Sequence, residues 1–329
     1  FIEAHPHFSL DGAWERSTRL IQQQYPHTHS YPSLETVLAN DAIQLIVVNT
    51  PTYTHFDYAK ACLLAGKHVI VEKAFTTTVE EAIELQQLAT AKNCMLAVYH
   101  NRRWDSDFLT TQKVVHSGIL GNIHEASIRF ERFKTALSPK LHKETPNAGA
   151  GLLKDLGPHC IDQAITLFGM PEKVFADIRI VRAQSQIDDD FSLTLYYPNC
   201  RVHIKASLLH AAALPAFELH GNKGSFTKER GDVQEAALLA GVVPGSSNWG
   251  EEPAALSGKL TLVKEKGFET SFLPTEKGNY MQFYNGIYEA LTHQINPPVT
   301  AVAGIQVMQI IEAAIQSNII GKSVAIQPL

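Results

Sequence analysis

"AIQLIVVNTPTYTHFDYAKACLLAGKHVIVEK", residues 42–73, reads as a strand, a helix and a second strand. The run 42–50 is apolar, continuous and β-branched, which is the pattern of a strand buried on both faces. Residues 55–67 then take helical spacing and stop at Gly66, and 68–73 is again a strand. Working outward, Thr78 and Glu81 form a capping box that opens a helix to about Lys92. A third strand follows at 94–100, and a further helix over 104–118 ends at Gly118. Strands alternating with helices of about ten to fifteen residues predict a parallel, doubly wound sheet. Ligands of such sheets sit at the carboxyl ends of the strands. The residues to inspect are therefore Asn49, Thr50 and Pro51, then Glu72 and Lys73, then Asn101, Arg102 and Arg103.

The start of the chain departs from that pattern. "FIEAHP" (1–6) reads as the tail of a helix and "FSLDGAWE" (8–15) as a strand, and no G-x-G-x-x-G spacing occurs anywhere. A dinucleotide-binding sheet normally begins with a strand and that glycine turn. In a 3-2-1-4-5-6 sheet the missing strand would be central, so roughly two dozen further native residues are expected ahead of Phe1.

After Gly121 the pattern changes. Residues 122–133 alternate like a half-exposed strand, and strand-like runs follow from "KVFADIRIV" to "AFELHG". Short connections such as Pro198-Asn199 predict antiparallel hairpins. Two helices, "YMQFYNGIYEALTHQ" and "AVAGIQVMQIIEAAIQSN", close the chain. The Gly-, Pro- and Ser-rich segment 239–258 reads as a surface loop. Residues 1–121 are thus expected to form one domain, and 122–329 a second α+β domain on an open antiparallel sheet.

Composition narrows the function classes. With 329 residues, 45% hydrophobic and 19% charged, the chain can bury a sizeable core. A net charge of −5 without a basic run leaves no footprint for nucleic acid or an anionic membrane. No uncharged apolar run approaches the ~20 residues of a membrane span, and no secretory leader is visible. Cys62, Cys94, Cys160 and Cys200 are widely spaced and read as reduced, buried thiols of a cytoplasmic protein. "HPH" (5–7) and "HTH" (27–29) lack metal-ligand spacing, so no metal is expected.

One stretch concentrates ionisable groups. "GLLKDLGPHCIDQ" (151–163) places Asp155, His159 and Asp162 within about 60° of one another if the whole stretch is helical. Gly157-Pro158 argues instead that the helix starts there, which leaves Asp155 on the entry loop. A capping aspartate and a hydrogen-bonded core histidine would account for the pattern without function.

Taken with "NTPTYTH" (49–55) and "AGKHVIVEK" (65–73), the motif "KDLGPHCIDQ" (154–163) resembles the three signatures of the Gfo/Idh/MocA oxidoreductases, named for glucose–fructose oxidoreductase and inositol dehydrogenase. The likeness covers essentially the whole chain. "HNRRWDSDF", "HKETPNAGAG" and "GDVQEAAL" are similar to the branch that includes NADP-dependent scyllo-inositol dehydrogenases. The resemblance implies an α/β fold: a Rossmann-type doubly wound parallel sheet, its first strand and glycine turn missing, followed by the α+β domain. It also implies an NADP-dependent dehydrogenase or reductase acting on CH–OH groups of a polyol or sugar. An antiparallel sheet with one face free commonly pairs between subunits, so a homodimer or homotetramer is expected.

For the site, the resemblance puts His159 in the role of base, because an alcohol proton must leave as the carbonyl forms. Asp155 would bond the imidazole or the substrate hydroxyl, and Lys73 would donate to the substrate oxygen. The family usually carries proline after this lysine. Ala74 stands here, so a trans Lys73–Ala74 bond is expected. Asn49, Thr50, Pro51, His55, Glu72, Asn101 and Arg102 match the cofactor side, and Arg102 fits a domain interface equally well. Glu15 lies where an acid would bind the adenosine ribose, which favours NAD. Arg16 and Ser17 would suit a 2′-phosphate, so NADP is preferred and NAD remains possible. Two rivals stand beside this reading: a non-catalytic sugar or nucleotide sensor on the same scaffold, and a metal-dependent hydrolase.

Overall fold

A computed structural model describes residues 1–15, 19–139 and 143–327. The chain opens in turns rather than a helix: the backbone bonds run from His5 N to the Ile2 carbonyl and from Phe8 N to the His5 carbonyl, three residues back rather than four. The expected helical tail at "FIEAHP" is therefore corrected. The strand expected over 8–15 shortens to β1 (Gly12–Trp14), followed by α1 (Leu20–Gln24), β2 (His29–Tyr31) and α2 (Leu34–Leu38). The alternation then runs β3 (Leu45–Val48), α3 (His55–Leu64), β4 (His68–Val71), α4 (Val79–Ala91), β5 (Leu96–Val98) and α5 (Ser106–Ser117).

All strand pairs in this part are parallel. They form two sheets, β1–β2 and β3–β4–β5, and among the described residues no strand joins β1 to β3. Val48 pairs with Val71, and Val71 with Val98, so the three strands of the larger sheet end level. Whatever follows each strand emerges along one edge. Strand length and pairing register, rather than any loop, thus place Asn49, Glu72 and Tyr99 side by side.

The helices between these strands obey local rules. Thr78 accepts from the Glu81 amide, and the Glu81 carboxylate accepts from the Thr77 and Thr78 amides. The helix this cap opens buries Ala82, Leu85 and Ala89, the spacing of one face, against the sheet. The α5 helix ends at Gly118 in the left-handed region, φ 66°, where glycine carries no side-chain penalty.

The second part contains β6 (Ile123–Glu131), α6 (Leu152–Asp155), α7 (Gly157–Phe168), β7 (Lys173–Arg179), β8 (Asp190–Tyr196) and β9 (Arg201–Ser207). It continues with β10 (Phe217–Gly221), β11 (Gly224–Lys228), α8 (Val233–Leu239), β12 (Gly258–Lys264), β13 (Gly267–Leu273), α9 (Met281–His293), α10 (Ala301–Ile320) and β14 (Val324–Ala325). Nine strands form one sheet in the order β13-β12-β11-β10-β6-β9-β8-β7-β14. The expectation of a purely antiparallel sheet needs correction, since β6 and β9 pair in parallel. A parallel pair requires a long crossover. Here the crossover carries α6 and α7, and α7 packs back onto β6 and β9. The short strand β14 also follows the two closing helices and pairs with β7.

Two apolar cores result. One surrounds β3–β5, and the other fills the covered face of the nine-stranded sheet. The final helix joins them: Ala301 and Ile305 of α10 belong to the first core, and Val307, Met308 and Ile311 to the second. A Cβ on Gly304 would lie 2.7 Å from Val98 and 2.8 Å from Phe75, so α10 approaches the first sheet too closely for any larger residue. Cys62, Cys160 and Cys200 are buried and Cys94 is partly exposed, which corrects the expectation of four buried thiols; all four are free. Among the described residues no helix is long and apolar enough to cross a membrane.

The α4 cap yields a direct test. Thr78→Ala removes the acceptor for the Glu81 amide and should cost about 1 kcal/mol of stability, whereas Thr78→Ser should retain most of it. Urea unfolding followed by far-UV circular dichroism separates the two variants.

Candidate active site

Because β3 and β4 end level, the loops after them share one wall of a cleft of about 940 Å³. Asn49, Thr50, Pro51, Glu72 and Lys73 line that wall. The opposite wall comes from the second part: Arg132, Lys143, Asn147, Asp155, Asp188 and Glu235.

The walls touch through one ion pair. Lys73 Nζ donates to Asp155 Oδ1 at 2.9 Å and to the Asp155 carbonyl at 2.7 Å. Asp155 is the last residue of α6, not part of an entry loop as expected. This short helix is held by Asp188, whose carbonyl and carboxylate accept from the Leu152 and Leu153 amides at 2.8 and 2.7 Å. Gly151 starts the helix at φ 102°, and a Cβ there would lie 1.9 Å from the Asp188 carboxylate, so only glycine fits. Burial pushes the Asp155 carboxyl up, but Lys73 and Lys143 (3.5 Å) outweigh it and hold the group well below the usual carboxylate range. Asp155 is thus an anion at any physiological pH. Glu72 behaves oppositely: burial raises its carboxyl against the opposing charge of Lys73.

The three ionisable groups of the 151–163 stretch part company. The Asp155 carboxylate goes to the two lysines rather than to the imidazole, which removes one of the two partners expected for it. Asp162 takes both arms of Arg103, at 2.8 and 2.6 Å. His159, on the first turn of α7, is 6% exposed and does not belong to the cleft lining. Its Nδ1 is buried without a hydrogen-bond partner among the described residues. Burial, then the charges of Lys73, Arg102, His100 and Arg230, drive its pKa far below the ordinary histidine value, so the ring is neutral.

His55 is fully buried, with Nδ1 2.8 Å from the Ala74 carbonyl and Nε2 2.8 Å from the Thr50 carbonyl. It ties the loops after β3 and β4 together without facing the cleft. The Lys73–Ala74 peptide is cis, which corrects the expectation of a trans bond. The sequence argument considered only the lack of proline, whereas Ala74 is enclosed in the core and its carbonyl is engaged by His55.

Asn101 and Arg102 lie outside the cleft lining as well. Arg102 is buried and bonds Asp105 at 3.0 Å and Asp232 at 2.7 Å, and Asn101 reaches Glu235 at 3.4 Å. These contacts tie the first part to the segment around α8, which is the interface role weighed for Arg102. Glu15 follows β1 directly, but its carboxylate accepts from the Leu20 and Ile21 amides, both at 3.2 Å, and so caps α1. Arg16 and Ser17 lie outside the described residues. Reasoning from the sequence missed Arg132, Lys143, Asp188 and Glu235. Only Lys143 and Glu235 had a signal, since they sit in the quoted motifs "HKETPNAGAG" and "GDVQEAAL". Among the described residues no group of three His, Cys, Asp or Glu side chains is arranged to hold a metal ion.

Comparison with known proteins agrees with this architecture. Residues 1–100 match the family model described as the NAD-binding Rossmann fold of the Gfo/Idh/MocA oxidoreductase family, and residues 112–326 match its C-terminal alpha/beta domain. The chain is 36% identical over 301 residues to the scyllo-inositol 2-dehydrogenase (NADP(+)) IolW of Bacillus subtilis, covering 92% of this chain and 84% of that one. It is 41% identical over 281 residues to the uncharacterized oxidoreductase YdgJ of Escherichia coli, covering 85% and 80% of the two. The solved structure of yvaA from Bacillus subtilis superposes with a TM-score of 0.95 at 34% identity, over 99% of this chain and 93% of that one. An NAD-binding Rossmann half, a C-terminal α/β half and a cleft between them make this chain a member of the Gfo/Idh/MocA oxidoreductase family.

Proposed function

We propose that this chain is an NADP-dependent oxidoreductase that moves a hydride between the nicotinamide and a secondary alcohol or ketone of a cyclitol or sugar, of the scyllo-inositol kind. The observation that carries the reading is the Lys73–Asp155 pair, which joins the two parts of the molecule inside the cleft at the ends of the parallel strands. The name of the 36%-identical relative supports the substrate class. Residues 1–121 serve in this reading as the nucleotide-binding domain, and residues 122–329 bind substrate and oligomerise.

The described residues fit the nicotinamide end of such a cofactor. Asn49, Thr50, Pro51, Glu72 and Lys73 share one wall of a polar cleft large enough for a ring and a polyol. A glycine turn for the pyrophosphate is not among the 329 residues. Bound there, the nicotinamide would supply the two-electron chemistry. Capping of α1 by Glu15 makes its carboxylate less available to a ribose, which supports NADP over NAD.

The protein's own task is the proton. Lys73 donates to the substrate oxygen and stabilises charge as the hydroxyl proton leaves, while Asp155 holds the ammonium in place. His159, four residues beyond Asp155 on the first turn of the next helix, accepts the proton. Its neutral state supports that role, since an imidazolium has no free lone pair. The protein works in the cytoplasm as a homodimer or homotetramer. The exposed aromatic rings of Phe268 and Phe272 on the edge strand β13 support association.

Incubation with NADP or NAD and a panel of cyclitols and aldoses, followed at the reduced-nicotinamide band, tests the reading as a whole. Activity with a polyol and tighter binding of NADP are expected; equal binding, or tighter NAD, removes the NADP preference. His159→Ala should lower kcat by about 10²–10⁴-fold with little change in cofactor binding. An unchanged rate transfers the proton step to another group. The acid limb of the kcat/KM profile for oxidation should also fall below pH 6.5, the ordinary histidine value. A histidine with depressed pKa stays a competent base until the pH drops through its own lower value.

A further inference from the structure

A general-base histidine works from one ring nitrogen, and the bond made by the other nitrogen sets which tautomer is present. In this site neither nearby carboxylate performs that task. Asp155 is committed to Lys73 and Lys143, and Asp162 to Arg103. Nδ1 of His159 has no partner, although the residue is more than nine-tenths buried.

His100, Gln163, Arg230 and Gln309 share this deficit, and the first two are tied to the helix of His159 or to the turn packed on it. His100 is 1% exposed and neither of its ring nitrogens has a partner. Gln163 is also 1% exposed and its Oε1 has none. The three residues are neighbours. His159 and Gln163 stand four apart on α7, which puts them on one face a turn apart. Gln163 Nε2 donates to the Arg102 carbonyl at 3.2 Å, two residues past His100. His100 is close enough to act on the charge of the His159 ring. The Arg102 bond also orients the amide: a carbonyl can only accept, so Nε2 faces Arg102 and Oε1 must be the acceptor left over. Leaving several polar atoms orphaned at one buried place is costly, and internal water is the usual remedy.

We propose that His100 and Gln163 hold a buried water against Nδ1 of His159, and that this water fixes the imidazole tautomer. Both hydrogens of this water find an acceptor, and only the N–H of His100 stays outside the arrangement. His159 Nδ1–H donates to the water, which donates one hydrogen to Gln163 Oε1 and the other to the acceptor nitrogen of neutral His100. Nε2 of His159 is then unprotonated and free to receive a proton. His100 and Gln163 are positioning residues, acting through the water rather than on substrate. The charged groups around the pair are Lys73 beyond β4, Arg102 and Arg103 beyond β5, Asp162 on α7 and Arg230 beyond β11. None of these supplies a hydrogen bond to either ring.

The catalytic consequence rests on the reading of His159 as base, but the water site does not. The test therefore has two arms. In the first, a crystal structure of the protein at high resolution should place an ordered water within hydrogen-bond distance of His159 Nδ1 and of His100 or Gln163. Nitrogen-15 NMR should then show His159 as the single Nδ1–H tautomer, becoming a mixture in His100→Phe. A direct His159–Gln163 bond without water, or an unchanged tautomer in His100→Phe, overturns the proposal.

In the second arm, His100→Phe and Gln163→Met should each lower kcat about tenfold while KM and the NADP dissociation constant stay near wild type. His100→Asn should recover part of the loss. A loss confined to thermal stability, with kcat intact, also overturns the positioning role. Wild-type protein with the water in place but no nicotinamide-linked turnover on any substrate would instead defeat the proposed function alone.

Discussion

An ammonium at the end of a parallel strand reaches across to a carboxylate at the end of a four-residue helix, and the geometry of the site follows from that contact. Lys73 and Asp155 are 82 residues apart and belong to different parts of the chain, yet they bond at 2.9 Å inside the cleft. Half-buried charges of this kind persist only when paired. The pair therefore sets the width of the cleft where it is made. It also keeps a cation on the lining of the cleft.

Behind the cleft lies a second and more deeply buried set of charges. Arg102, Arg132 and Arg230 approach the single ring of Phe130, with guanidinium carbons 4.8, 4.6 and 4.3 Å from its centroid. Asp105, Asp107 and Asp232 face these cations, and Tyr280 donates to Asp105 at 2.5 Å. Farther along, Lys228 and Glu252 form a pair that is almost wholly enclosed. Burial raises the Asp105 carboxyl to about 6 despite Arg102 beside it, so desolvation governs this region as strongly as pairing does. The surplus of nearby cations helps to keep the His159 imidazole neutral. Two features of the site, a fixed ammonium and an uncharged imidazole, thus come from one electrostatic arrangement.

Much of this was legible in the amino-acid order. The strand at 45–48, the helix opened by the Thr78–Glu81 box, the stop at Gly118 and the tight connection at Pro198-Asn199 rest on local chemistry, and each is where that chemistry places it. Lys73 and Asp155 were identifiable because their motifs are short and continuous. The partners were not. Nothing in "KDLGPHCIDQ" reveals that its first aspartate bonds a lysine, its second an arginine, and that Nδ1 of its histidine has no partner among the described residues. Neither could local pattern show that β6 and β9 run parallel, since that depends on how the segment between them, which carries α6, α7, β7 and β8, returns to the sheet.

The sequence alone determined the α/β alternation from residue 42 onward and the boundaries of α4 and α5, because these depend on propensity, capping and periodicity within a few residues; the cleft's lysine and aspartate were singled out by their resemblance to family motifs. Tertiary structure alone decided which charges meet. It brought Arg132, Asp188 and Glu235 to the cleft, turned Arg102 and His55 away from it, and left His159 without a carboxylate. The physical reason is that pairing and desolvation act through space over a few ångströms. The residues they couple are separated by tens to hundreds of positions along the chain, a distance no local pattern encodes.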